Sequence, residues 1–157
     1  ARTQPNAELV IIGRDDDPKL RQRLVAQAES LGMAGRVRLF GEVSRAALLG
    51  WYRACDAFAL TSVEDGGFEG FGLVYLEANA FGKPCVGSRD SGARDVIHEG
   101  RNGYLANADD QLDIARSLER ALSLSSDDIR ESVTDAAWSL RAESYQALYA
   151  EVADSLR

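Results

Sequence analysis

The stretch Glu69-Gly70-Phe71-Gly72-Leu73-Val74-Tyr75-Leu76-Glu77-Ala78-Asn79-Ala80-Phe81-Gly82-Lys83-Pro84-Cys85-Val86-Gly87 decides how this chain is read. It carries two carboxylates eight positions apart, a glycine-flanked turn at the first and an apolar helix between them. Gly82-Lys83-Pro84 breaks the helix and delivers a strand from Pro84 to Gly87, since proline is tolerated at the first residue of a strand. A helix running from Phe71 offers backbone N–H groups and the positive end of its dipole in the first turn, which suits a phosphate or a polar sugar. Gly70 and Gly72 let the backbone approach a ligand closely. Eight residues are about 2.2 helical turns, which sets Glu77 roughly 80° round from Glu69 and deeper along the axis. Two acceptors at different depths can hold two hydroxyl-bearing parts of one ligand.

Working outward, Asp56 to Leu60 reads as the strand before this helix, joined to it by a loop from Thr61 to Gly70. Further upstream, Glu8 to Gly13 is a buried strand and Arg14 to Pro18 a polar turn. Pro18 opens a helix to about Leu31, with Leu20, Leu24, Ala28 and Leu31 on one face and Gly32 as its stop. Arg36 to Phe40 is a second short strand, and Ser44 caps a helix through Arg53. Downstream, the turn Glu99-Gly100-Arg101-Asn102-Gly103 leads to a strand from Gly103 to Ala106. The pattern is helical from Asp109, with a stripe at Leu112, Ala115, Leu118 and Leu122. Ser125 or Ser126 starts a further helix that bends near Trp138 and ends in Tyr145, Leu148, Tyr149, Val152 and Leu156.

Strands alternating with helices predict an α/β domain over residues 1–157, with a parallel sheet covered by helices on both faces. Ligands of such sheets bind beyond the carboxyl ends of the strands. Those points are Gly13 to Asp17, Gly41 to Ser44, Thr61 to Gly72, Ser88 to Asp95 and Asn107 to Asp109. No internal repeat, low-complexity tract or interdomain linker interrupts the pattern.

The chain has 157 residues, 45% hydrophobic and 27% charged, enough to bury a core and too apolar to be disordered. Its longest apolar runs, Leu9 to Ile12 and Ala57 to Leu60, are strand-length and far short of the ~20 residues of a membrane span. No signal-peptide pattern opens it. The formal net charge of −7 argues against general nucleic-acid binding. Any anionic ligand is then met by local dipoles or a few placed cations. Cys55 and Cys85 lack metal-ligand spacing and read as small core residues in a reducing compartment.

Four segments together resemble the C-terminal, donor-binding domain of the group 1 (family 4) GT-B glycosyltransferases, with its Rossmann-like fold. They are Phe40-Gly41-Glu42-Val43-Ser44, Trp51-Tyr52-Arg53-Ala54-Cys55-Asp56-Ala57-Phe58, the run from Glu69 to Pro84, and His98-Glu99-Gly100-Arg101-Asn102-Gly103-Tyr104-Leu105. The likeness extends from about Glu8 to Leu122. It implies that the intact protein moves a sugar from a nucleoside-diphosphate sugar to an acceptor with retention, without a metal or other cofactor. Glu69 would contact hydroxyls of the donor sugar and stand as the catalytic-site carboxylate. Amides around Gly70, Phe71, Gly72 and Leu73 would line the sugar and diphosphate, and Glu77 would accept from the ribose. Gly41, Glu42 and Val43 would lie against the base, with Gly13 on the donor side as well. The carboxylate roles agree with physical chemistry, because hydrogen bonds to a charged acceptor are worth ~1.5–3 kcal/mol each.

The chain also departs from the family pattern. The family's first strand and helix, with an Arg and a Lys that clamp the diphosphate, have no counterpart here, nor does the N-terminal acceptor domain with its catalytic-site histidine, which His98 does not match. The expectation is therefore a fragment of a two-domain enzyme that transfers nothing alone. Membrane contact, if made, would belong to absent parts, and the location would be cytoplasmic, with the pool of activated sugars. A Gly-Gly pair after the fourth strand reads Ser91-Gly92, and a usual proline reads Arg94.

Other readings rank lower. Asp15-Asp16-Asp17 has the look of a metal-binding Asp-x-Asp or of a phosphoacceptor receiver. However, Asp56 and Lys83 precede their strands instead of ending them, so the acidic run reads as a solvated turn and helix cap. Lys83 and His98 read as surface residues, and Trp51, Tyr52 and Trp138 as packing. Arg89 and Arg94 follow the fourth strand as secondary candidates for donor contact. The alternative functions are a non-catalytic nucleotide-sugar-binding or regulatory module of this fold, or a GT-B-like sugar-nucleotide epimerase.

Overall fold

The computed structural model describes residues 4–14, 16–62 and 72–134, with positions 142, 145, 146 and 149 in addition. Asp15, Glu69, Gly70, Phe71, Trp138, Leu148, Val152 and Leu156 lie outside the described residues. In chain order the elements are β1 (Leu9–Ile12), α1 (Pro18–Ser30), β2 (Val37–Phe40), α2 (Arg45–Ala54), β3 (Phe58–Leu60), α3 (Leu73–Ala80), β4 (Cys85–Ser88), a 3-10 turn (Gly92–Asp95), β5 (Gly103–Ala106), α4 (Gln111–Ala121) and α5 (Ser126–Ser132). They fall into two compact units, Ala1–Gly50 and Trp51–Arg157, with the division inside α2.

In the first unit β1 and β2 pair in parallel, from Leu9 opposite Val37 to Ile12 opposite Phe40. Asp17 caps α1, its Oδ1 accepting from the Lys19 amide at 2.9 Å, and Pro18 takes the first position, where a missing N–H costs nothing. Asp17, the last residue of the acidic run, thus serves as a helix cap. Of the stripe expected on α1, Ala28 is buried and Leu24 half-buried, while Leu20 and Leu31 stay exposed. Leu31 has left the helix as its C-cap, and Gly32 follows in the left-handed region that ends helices. Val25 and Ala28 of the helix line a recess with Val37 and Leu39 of β2.

In the second unit β3, β4 and β5 form a parallel sheet with β4 central. Every residue of β4 is buried, as a strand covered on both faces requires. Val86, Tyr104, Ala106 and Ala121 make a core against which Ile114, Leu118 and Leu124 pack. The inward face of α4 is therefore Ile114, Ser117, Leu118 and Ala121, a true i, i+3, i+4, i+7 set. This corrects the expected stripe, since Leu112 and Leu122 are exposed. The buried Ser117 interrupts the apolar pattern and hides the real face. A Cβ at Gly103 would lie 2.2 Å from the Cys85 carbonyl oxygen, so the β4–β5 pairing accepts only glycine there.

Asn79, fully buried near the end of α3, ties the next elements together. The two hydrogens of its Nδ2 are shared among three acceptors, the Lys83 carbonyl at 2.9 Å, Cys85 Sγ at 3.2 Å and the Asn102 carbonyl at 3.1 Å. Asn102, buried in turn, accepts from the His98 amide at 2.7 Å and donates to the Val96 carbonyl at 3.0 Å, holding the turn before β5.

Candidate functional site

The head of α3 is the centre of the candidate site. The helix begins at Leu73, two residues after the expected start, because Gly72 is left-handed at φ +65° and cannot be the helix's first turn. The offset of roughly 80° reckoned between Glu69 and Glu77 assumed helical backbone through Gly72, which is left-handed, so it does not carry over. A Cβ at Gly72 would also strike the Tyr75 ring at 2.7 Å. The helix starts of α1, α2, α4 and α5 are capped by the side chains of Asp17, Ser44, Asp110 and Ser125, and Ser91 caps the 3-10 turn. Gly72 brings no side-chain acceptor to α3, so the positive end of this dipole is met by no carboxylate or hydroxyl of its own cap residue.

Tyr75 fixes that head against the sheet. Wholly buried, it donates from its hydroxyl to the carbonyl of Leu60, the last residue of β3, at 2.6 Å, and meets the Phe58 ring edge-on at 5.7 Å. Gly87 lies on the other side: a Cβ there would fall 2.5 Å from Ala93 Cβ, 2.8 Å from Ile97 Cδ1 and 3.1 Å from the Tyr75 hydroxyl. The carboxyl end of β4, the 3-10 turn and Tyr75 thus meet at a position without room for a side chain. Ser91, standing where the family pattern has glycine, accepts from the Ala93 amide and donates to the Ser88 carbonyl, so the substitution supplies a cap.

Glu77 lies one turn inside α3, on the same face as the exposed Leu73 four residues earlier. It is half-buried, and its Oε2 accepts from the Tyr52 hydroxyl at 3.1 Å. Tyr52 is buried as expected, stacked on Phe81 and edge-on to Phe58, but its hydroxyl contact with Glu77 crosses 25 positions and has no signature in sequence.

Gly72, Leu73 and Glu77 are thus brought together in the second unit. In the first unit, Gly13 and Gly41 directly follow Ile12 and Phe40, which are register partners, so both lie at the carboxyl edge of the β1–β2 pair, with Val43 two residues on. Arg14, not singled out from sequence, stands at that edge, 3.7 Å from the Glu42 carboxylate and 3.5 Å from that of Asp16. Both pairs are exposed and contribute little to stability. Arg89 is engaged elsewhere, donating to the Leu105 carbonyl at 3.1 Å and lying 3.8 Å from Asp113, whereas the Arg94 side chain is exposed.

Both cysteines are free thiols, Cys85 buried and Cys55 half-buried. Burial pushes the Cys85 thiol far above its usual range, with Cys55 adding to the shift, and burial likewise raises Cys55, so thiolate is scarce at both. Among the described residues no cluster of three or more His, Cys, Asp or Glu side chains has the arrangement of a metal site. No described helix is long and apolar enough to cross a membrane.

Residues 1–138 match the family model described as glycosyl transferases group 1. A D-inositol 3-phosphate glycosyltransferase of Corynebacterium jeikeium is 34% identical over 139 residues, covering 83% of this chain and 32% of the relative. A phosphatidyl-myo-inositol mannosyltransferase of Mycobacterium leprae is 30% identical over 158 residues, covering 96% and 39%. The chain therefore spans between about a third and two fifths of the length of these relatives. Among solved structures, AviGT4, a glycosyltransferase involved in avilamycin A biosynthesis, superposes with a TM-score of 0.75 at 20% identity over 92% of this chain and 43% of that one. Anabaena HepE, crystallised with UDP and glucose, gives 0.73 at 22% identity over 93% and 41%. Parallel strands alternating with helices, the glycine-headed α3 with its carboxylate and the family match agree: the chain belongs to the group 1 glycosyl transferases and has the α/β architecture of their GT-B fold.

Proposed function

We propose that this chain is the donor-binding domain of a retaining glycosyltransferase, holding a nucleoside-diphosphate sugar for transfer to an acceptor carried by a separate N-terminal domain. The observation that carries the reading is the head of α3, where a glycine cap without a side-chain acceptor stands one turn from an oriented carboxylate. Amides from Gly70 to Leu73 face the diphosphate, and their dipole offsets the charge that grows on it as the bond from the sugar's anomeric carbon breaks. Glu77 accepts from the ribose hydroxyls and Glu69 from the donor sugar, while Gly13, Gly41 and Val43 line the base side. Helix dipole and cations do this work without a metal, in the cytoplasm, where activated sugars are made. On this reading the chain alone binds the donor weakly at best and transfers nothing.

In the intact enzyme, Glu77→Ala should weaken binding of the cognate nucleoside diphosphate about tenfold or more, the worth of one charge-assisted hydrogen bond. Glu69→Ala should depress kcat more than nucleotide affinity. Calorimetric titration and steady-state kinetics with the donor measure both effects. Equal and negligible effects of the two substitutions would remove the site assignment.

A further inference from the structure

The carboxylate of Glu77, a proposed donor contact, is held by a side chain from another element of its unit. The holding group is itself immobilised. Tyr52, on the last turns of α2, is 4% exposed, stacks on Phe81 with ring centroids 6.0 Å apart at 15°, and meets Phe58 edge-on at 5.8 Å and 60°. Its ring is fixed from two sides before its hydroxyl reaches Glu77 Oε2 at 3.1 Å. A glutamate on a helix surface samples several χ rotamers, and each lost on ligand binding costs affinity. A donor locked in an aromatic stack and aimed at one carboxylate oxygen selects the rotamer in advance.

We infer that Tyr52 is a positioning residue for nucleotide recognition: it presets the Glu77 carboxylate in the orientation that accepts from the ribose. The inference rests on the donor-binding reading of Glu77 given above. Tyr52 touches no substrate and acts only through Glu77. Because the ribose is held in the ground state and the transition state alike, losing the preset raises KM for the donor and leaves kcat little changed.

The test uses the full-length enzyme titrated with UDP, GDP and ADP, carrying forward the diphosphate that binds most tightly, for wild type, Tyr52→Phe, Glu77→Ala and the double variant. Tyr52→Phe removes one oxygen and keeps the ring stack. It should weaken the diphosphate about fivefold to tenfold and raise donor KM to match, while the double variant binds no more weakly than Glu77→Ala alone. A purely structural role would lower the melting temperature and leave the Kd where it was, or would give additive losses in the double variant; either result overturns the inference. If Glu77→Ala weakens binding and Tyr52→Phe does not, the inference fails and the donor reading stands. If Glu77→Ala has no effect, the donor reading fails and the inference with it. Should Tyr52→Phe not yield folded enzyme, Phe81→Leu, which loosens the stack behind Tyr52, should weaken the diphosphate about twofold to threefold by the same route, and an unchanged Kd there overturns the proposal.

Discussion

The two units of the chain are specified in different ways. In Trp51–Arg157 the central strand β4 is buried at every residue, and Gly87 and Gly103 stand where a single added carbon would meet neighbouring atoms at 2.5 and 2.2 Å. In Ala1–Gly50 the strand β1 alternates exposed with half-buried residues, Leu9 is 50% exposed, and added carbons at Gly13, Gly32 and Gly35 would meet nothing within 4 Å. One unit is defined by steric fit around the head of α3, the other by caps and turns that set the direction of short elements. Close fit holds atoms to the tolerance a binding site needs, whereas turn chemistry only has to deliver a strand to the right place.

Substitutions can break or sharpen that contrast. Gly103→Ala forces a methyl group against the Cys85 carbonyl and should cost about 3 kcal/mol in the second unit, read as a lower denaturant midpoint. A neutral result would mean the fit there is looser than its distances say. Tyr75→Phe should cost about 1–2 kcal/mol, since the Leu60 carbonyl loses its 2.6 Å donor while the ring packing remains. Hydrogen exchange at the first turn of α3 should quicken with it, and exchange confined to β5 would argue against Tyr75 as the link between β3 and α3. Asp17→Ala should cost about 1 kcal/mol through the lost cap, and the loss should show as faster exchange in α1 with β4 amides unchanged. If β4 amides quickened equally, the two units would share one cooperative transition and the contrast would be one of packing alone.

What could be read in the sequence follows the same division. Caps, breakers and short strands are written locally, so Pro18, Gly32, Ser44, Pro84 and Ser125 place their elements to within a residue or two. The start of α3 was placed two residues early, at Phe71, because a glycine reads equally well inside a helix's first turn or as its left-handed cap, and Gly72 is the cap. The inward face of α4 was misjudged because Ser117 is buried, which no apolar count anticipates. At the site, the helix, its glycine and Glu77 were legible as a motif. The hydrogen bonds from Tyr52 to Glu77 and from Tyr75 to Leu60 were not, since they join residues 25 and 15 positions apart through the fold.

The contacts of Asn79 Nδ2 with three acceptors have a mechanical consequence. They anchor the tail of α3, while the hydroxyl of Tyr75, bonded to the Leu60 carbonyl, anchors its first turn. The helix is a short beam clamped at both ends, so a ligand arriving at its glycine head meets a surface that keeps its alignment under load.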